Sequence, residues 1–258
     1  MKTIDKTRLV EQLRTLGVEP GGVLLVHTSF RAVRPVEGGP LGLVEALREA
    51  VGPRGTLVMP AWTGDDEAPF DPRETPAAED LGVVADTFWR QPGVLRSAHL
   101  QAFAAAGPAA AQLLRDPLPL PPHIPASPVG RVHDLDGQVL LLGVGHDADT
   151  TLHLAELLAG VPYGIPRVCP EFVDGRRIEH AYAENDHCCA RFSLADAWLR
   201  DAGLQTEGPV GHAHARLARS RDIVRLACAH LARDPLLFLH ERGAGCADCD
   251  EAHASLAP

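Results

Sequence analysis

Asp136-Gly137-Gln138-Val139-Leu140-Leu141-Leu142-Gly143-Val144-Gly145-His146-Asp147-Ala148-Asp149-Thr150-Thr151-Leu152-His153-Leu154-Ala155-Glu156 is the stretch on which the fold turns. Asp136-Gly137 signals a turn, and the run from Gln138 to Leu142 has the unbroken apolar pattern of a strand buried on both faces. Gly143 and Gly145 end that run, and over residues 152–158 the apolar spacing becomes helical. Strand, glycine-rich turn and helix in direct succession are the building unit of an α/β architecture.

The alternation continues outward on both sides. Leu9, Val10, Leu13 and Leu16 set a helical stripe, which Pro20-Gly21-Gly22 stops. Val23-Leu24-Leu25-Val26 reads as the next buried strand, residues 41–51 as a helix closed by Gly52-Pro53, and Thr56-Leu57-Val58-Met59 as a strand closed by Pro60. Residues 82–90 and 109–115 are helical in pattern. The proline-rich residues 118–128 exclude regular structure and predict a stiff surface loop. Beyond the quoted stretch, residues 172–182 predict a hairpin around Asp174-Gly175. Ser193 predicts the N-cap of a helix running to Ala202, and residues 220–232 a further helix. No internal boundary is visible. The expectation is one domain over residues 1–258, with a smaller hairpin-containing lobe at about residues 166–190 joined by the C-terminal tail.

Composition narrows the function. The chain has 258 residues, 45% of them hydrophobic, with a formal net charge of −10. No Lys/Arg cluster is present to displace counterions from phosphates, so nucleic acid is not an expected partner. No apolar run reaches the length of a membrane span, and an acidic surface suits cationic small molecules. The polar N-terminus has no secretory signal, which predicts a cytoplasmic protein in which disulfides are disfavoured. All six cysteines, at 169, 188, 189, 228, 246 and 249, lie late in the chain. Cys246 and Cys249 form a C-x-x-C, half of a structural zinc site. Cys188 and Cys189 are expected to complete it, with His187 as a reserve ligand. A redox C-x-x-C normally opens a helix after a strand, and this one sits in a polar tail.

Three segments carry groups suited to chemistry. Ser29-Phe30-Arg31-Ala32-Val33 follows a buried strand, where backbone N–H groups, a hydroxyl and a guanidinium could hold phosphate. His153 falls in the first turn of a helix, a position that favours the neutral imidazole a general base requires. The backbone N–H groups near Thr150 and Thr151 could stabilise an oxyanion there. Glu184-Asn185-Asp186-His187 brings two carboxylates that could orient an imidazole or grip an ammonium group. Asp65, Asp66 and Glu67 beside Trp62 would suit a polycationic sugar. The small residues 102–107 would let a ligand approach the backbone closely.

Gly21-Gly22-Val23-Leu24-Leu25-Val26-His27, Asp186-His187-Cys188-Cys189 and the terminal C-x-x-C, in this order, resemble the aminoglycoside 3-N-acetyltransferase family of antibiotic-resistance enzymes, most closely its type IV, apramycin-accepting branch. The resemblance covers nearly the whole chain. It implies an α/β fold with a mixed central sheet flanked by helices, distinct from the general N-acetyltransferase superfamily. The implied reaction is acetyl transfer from acetyl-coenzyme A to the 3-amino group of a 2-deoxystreptamine ring, in a ternary complex without an acyl-enzyme.

By that resemblance His153 is the catalytic base, Glu184 and Asp186 flank the acceptor amine, and Thr151 belongs to the catalytic set. Ser29, Phe30, Arg31, Ala32 and Val33 form the coenzyme loop, completed by Ser97, Ser127, Pro128 and Val129. Asp66 and His123 match acceptor-side positions. The chain departs from the family at Leu100, where proline is frequent, and at Ala102, where many relatives carry serine, which puts one coenzyme contact in doubt. The expected partners are an aminoglycoside, no nucleic acid and no membrane, with the chain monomeric or homodimeric. Two other readings fit the same residues: the same fold acetylating a different amine, and a zinc-dependent hydrolase using Asp186, His187 and Cys188.

Overall fold

The computed structural model describes residues 2–65, 67–115 and 118–256. Its strands are β1 (Val23–Thr28), β2 (Thr56–Pro60), β3 (Leu95–Arg96), β4 (Phe103–Ala106), β5 (Gln138–Leu142), β6 (Ile165–Val173), β7 (Arg176–Glu184), β8 (Gln205–Val210) and β9 (Ala213–Arg219). Its helices are α1 (Lys6–Leu16), α2 (Phe30–Val33), α3 (Gly39–Val51), α4 (Gly82–Trp89), α5 (Ala110–Leu113), α6 (Pro128–Asp134), α7 (Thr151–Ala159), α8 (Leu194–Asp201), α9 (Ser220–Leu231) and α10 (Ala247–Ala254).

The central sheet runs β3-β4-β2-β1-β5-β9-β8. β1 is parallel to both β2 and β5, while the pairs β2/β4, β4/β3, β5/β9 and β9/β8 are antiparallel. The middle strands read as continuous apolar runs because both of their faces are covered. Leu24, Val26, Leu57, Met59, Leu140 and Leu142 face one layer, built on Leu9 and Leu13 of α1, Leu43 and Leu47 of α3 and Phe88 of α4. Leu25, Val58, Val139 and Leu141 point the other way, onto Val129 and Val132 of α6, Leu152 of α7 and Ile223 of α9. The chain leaves β1 through α3 to reach β2 on one side, and β5 pairs with the other side of β1. The loops after β1 and β5 therefore diverge and leave a crevice at the carboxyl edge of the sheet.

Several elements differ from the sequence reading. Residues 102–107 are not a ligand-facing run but mostly β4, whose Ala104 and Ala105 are wholly buried. Small side chains there let the helix layers close on the sheet, and alanine's weak strand preference hid the strand. β8 and β9 were not foreseen. β8 is a polar edge strand carrying Pro209, the kind of residue edges tolerate. α6 starts at Pro128, the end of the predicted loop, and the Ser127 hydroxyl accepts from the Gly130 N–H at 3.2 Å. Ser193 Oγ donates to the Ala190 carbonyl instead of capping α8.

β6 and β7 pair only with each other. Asp174 and Gly175 both have positive φ, 50° and 74°, as a type I′ turn requires. The base of this hairpin packs with α10 through a small cluster of Tyr163, Ile165, Leu239, Cys249 and Ala252. Among the described residues no helix is long and apolar enough to cross a membrane.

Candidate active site

The crevice is a cavity of about 470 Å³ whose walls include His27, His123, Thr150, His153, Asp186 and Cys189. Its shape depends on the turn after β5. Gly143 has φ 73°, and a β-carbon there would sit 2.6 Å from the Ala32 side chain, so only glycine lets β5 pass under the turn that follows β1. A 3-10 turn over His146–Ala148 follows, and then α7.

The start of α7 is held by Asp149, not by a threonine hydroxyl. Asp149 Oδ1 accepts the Thr151 N–H at 2.9 Å, and Oδ2 pairs with His146 Nδ1 at 3.0 Å. His146 Nε2 lies 2.9 Å from Gln205 Oε1. Burial is the largest single effect and opposes charge on both partners, but their mutual hydrogen bond and attraction, with the bonds from Gln205 and Thr151, together outweigh it, raising the His146 pKa and lowering that of Asp149. This corrects the expectation for Thr151: its N–H is spent on Asp149 and its side chain is wholly buried. Thr150 faces the cavity instead, with Oγ1 3.3 Å from His27 Nε2.

His153 reaches the cavity from the first turn of α7. Its Nδ1–H donates to Glu156 Oε2 at 2.9 Å, one helical turn on. Its Nε2 turns outward and meets Cys189 Sγ at 3.4 Å. Glu156 is wholly buried and also accepts from His187 Nε2–H at 2.8 Å and from the Tyr163 hydroxyl. The His187 tautomer is fixed because its Nδ1 accepts the Cys189 N–H. Burial alone would keep the Glu156 carboxyl protonated, but the bonds from His153 and His187 hold its pKa below the ordinary value. Burial likewise works against a charged His153, yet the contacts to Cys189 and Glu156 raise its pKa well above 6.5. The helix N-terminus therefore does not keep this ring neutral, as its sequence position suggested. A buried carboxylate in contact outweighs a partial dipole charge.

Glu156, the carboxylate that holds His153, is the site residue that the sequence reading missed. The signal was the His153–Glu156 spacing of three on one helix face, hidden because Glu156 reads as an ordinary helix residue. The carboxylates expected in its place are engaged elsewhere. Asp186 pairs with Arg167 at 2.8 Å, and Glu184 accepts from the Tyr182 hydroxyl at 2.9 Å. Asp186 still borders the main cavity, whereas Glu184 borders a narrow crevice behind His123 and His153. His123 stacks on His153, with centroids 5.3 Å apart, and burial drives its pKa far down, so it is neutral. Asp66 lies outside the described residues.

The expected coenzyme contacts divide into two groups. Ser29 stands at the N-cap position of the short α2 at the exit of β1 without a side-chain capping bond, and Arg31 is exposed there, while Val33 is wholly buried. Phe30 and Ala32 pack against the core. Ser97 Oγ is tied to the Phe103 backbone, the Ser127 hydroxyl to Gly130, and Val129 is core. Ser127 and Pro128 border a crevice next to His123.

The cysteines also regroup. Cys188, Cys246 and Cys249 converge with His240, with all four ligand atoms within 4.8 Å of one another. His240 stands where Cys189 was expected, because the left-handed backbone at Cys189 (φ 57°) turns its sulfur to His153. Cys246 does open a helix, α10, but no strand precedes it. The ligand set of a zinc hydrolase is dispersed: Asp186 is on Arg167, both His187 nitrogens are engaged, and Cys188 belongs with His240.

Fold and site together define an α/β protein with a buried-carboxylate–histidine pair on the wall of a crevice at the carboxyl edge of its mixed sheet, the setting of an active site. The family model for aminoglycoside 3-N-acetyltransferase matches residues 25–232, so the chain belongs to that family and is an acetyltransferase. It is 69% identical over 235 residues to aminoglycoside N(3)-acetyltransferase IV of Salmonella sp., covering 91% of this chain and 90% of that one. The crystal structure of apo AAC(3)-IVa superposes with a TM-score of 0.97 at 66% identity, covering 99% of this chain and 98% of that one. A structure of AAC-IIIb with CoASH matches with a TM-score of 0.82 at 26% identity, covering 90% of this chain and 97% of that one.

Proposed function

We propose that His153 is the general base that takes a proton from the 3-amino group of a 2-deoxystreptamine aminoglycoside as that nitrogen receives the acetyl group of acetyl-coenzyme A. The observation that carries this reading is the His153–Glu156 pair: one ring nitrogen is held by a buried carboxylate and the other is turned to the cavity. Glu156 orients the ring and stabilises the imidazolium that proton transfer creates. Asp80, Asp147 and Asp186 on the cavity wall favour a polycationic acceptor. Thr150 and neutral His27 offer hydrogen bonds near His153, and Ser29 and Arg31 are placed for the coenzyme at the exit of β1. The structures of AAC(3)-IVa with gentamicin and with apramycin support these two antibiotics as acceptors here. The test is thiol release from acetyl-coenzyme A with apramycin or gentamicin. Near-normal turnover by His153→Ala would refute the assignment.

The second cluster fits a structural zinc ion. Cys188 Sγ lies 3.7 Å from Cys249 Sγ and 3.4 Å from His240 Nδ1, and Cys249 Sγ lies 3.5 Å from the same nitrogen. Donors about 2.3 Å from a tetrahedral zinc stand roughly 3.7 Å apart, so a Cys3His set matches. The ion would join the segment at Cys188, which follows β7, to α10. Metal analysis of the purified protein should find one zinc per chain.

A further inference from the structure

Asp186 lines the main cavity, and the group that holds it does not. Arg167, on β6, donates from Nη2 to Asp186 Oδ2 at 2.8 Å and from Nη1 to Glu251 Oε1, on α10, at 3.0 Å. One guanidinium therefore ties the cavity wall to the C-terminal helix, a single positive charge between two negative ones. Among the described residues that line the cavity there is no lysine or arginine, whereas Asp80, Asp147 and Asp186 all line it. Arg167 is thus a permanent cation one contact away from a wall whose permanent charges are carboxylates. The three side chains are partly exposed, 32% for Arg167, 47% for Asp186 and 53% for Glu251, so the triad adds little to stability. Its effect falls on what approaches the wall. A positive charge beside Asp186 opposes the arrival of an ammonium group, and Glu251 offsets part of that opposition.

We propose that Arg167 is a specificity-determining residue for the acceptor, setting how much of the Asp186 charge a polycationic ligand meets, with Glu251 tuning it from the opposite side. This inference rests on the acceptor reading given above and adds two residues outside the cavity to it. Without the guanidinium, both carboxylates act unopposed and a polycation binds more tightly. Without the Glu251 charge, the guanidinium is opposed by Asp186 alone and the polycation binds more weakly. Neither side chain lines the cavity in which His153 stands, so binding shifts while the chemical step does not.

The test is steady-state thiol release with apramycin and with gentamicin at saturating acetyl-coenzyme A. It is run at about 0.01 M and about 0.15 M ionic strength, where the Debye length is ~30 Å and ~8 Å. At the lower ionic strength Arg167→Gln should reduce the acceptor KM by roughly 2- to 5-fold, the range expected of partly exposed charges, with kcat little changed. Glu251→Gln should raise the KM by a similar factor, and both shifts should shrink at the higher ionic strength. Arg167→Lys keeps the charge but loses the planar fork that bridges two carboxylates, so it should return the KM to that of the unmutated enzyme. A merely structural bridge would fail in the lysine variant as it does in the glutamine one. The proposal is overturned if Arg167→Gln raises the KM or leaves it unchanged at low ionic strength, or if Arg167→Lys behaves like Arg167→Gln. The two sites lie on different elements and demand shifts of opposite sign, so a variant that folds poorly leaves the other decisive. An unmutated enzyme inert toward every aminoglycoside would refute the acetyl-transfer reading and this inference with it. An active enzyme indifferent to both charges would overturn this inference alone.

Discussion

The carboxyl edge of the sheet and the hairpin lobe are built on opposite principles. At the sheet edge, the layers carried by Leu25, Leu141, Leu152 and Ile223 exclude water, and charged groups sit inside that dry frame. Glu156, Asp149 and His146 are almost wholly buried, and every one of them is hydrogen-bonded. The lobe has only the small cluster around Tyr163 and Leu239 beneath it, and its hairpin leaves Val168, Val173 and Ile178 exposed. A segment with so little apolar burial would gain from a staple, and the zinc proposed at Cys188, His240, Cys246 and Cys249 would be one. Where apolar burial is ample, ionisable groups can be spent on chemistry. Where it is scarce, the proposed zinc would have them hold the chain together.

The largest expected effect strikes at the dry edge. His153→Ala should lower kcat by ~10²–10⁴ with the circular dichroism spectrum unchanged, since a general base contributes that much and the ring carries little of the core. Glu156→Gln keeps the shape but removes the charge, and should cost roughly 10²-fold in kcat. Full activity in that variant would mean that the ring is oriented from elsewhere.

The same pair sets a pH dependence. The contacts to Cys189 and Glu156 raise the His153 pKa above 6.5, so the free base becomes more abundant as pH rises through that raised value. The acid limb of kcat/KM should therefore be centred above 6.5, and Glu156→Gln should move it to lower pH. A limb centred below 6.5 in the unmutated enzyme would break the comparison at its active end.

If the lobe carries the proposed zinc, chelation or replacing His240 by Ala should make residues around Cys188 and α10 exchange backbone hydrogens faster, with the central strands β1, β2 and β5 still protected. Leu141→Ala, by contrast, should destabilise the whole molecule by about 2–5 kcal/mol in denaturant unfolding. If metal loss unfolded everything in one step, the two regions would share one stability. The smallest effect is expected at Ile178→Ser on the exposed hairpin, within about 0.5 kcal/mol of the unmutated chain.

Much of the fold was legible because residues 6–16, 23–28, 138–142 and 151–159 carry periodicities that both faces of a buried sheet impose. The hairpin turn was legible for a local reason: Asp174-Gly175 tolerates two positive φ values in sequence. β4 was not, because alanines pack between layers without announcing a strand. β9 was not either, because its arginines are satisfied only by tertiary partners, as Arg216 is by Asp196.

At the site, the chain's own order placed His153 in a strand–turn–helix unit and grouped the late cysteines, since both follow from residue type and local spacing. Packing alone decided that Glu156 holds the ring, that His240 replaces Cys189 beside the other thiols, and that Thr150 rather than Thr151 faces the cavity. The reason is physical. A local pattern fixes which way a backbone runs, but the partner of a buried charge is chosen by whichever group the folded layers bring within hydrogen-bond reach, at any separation along the chain.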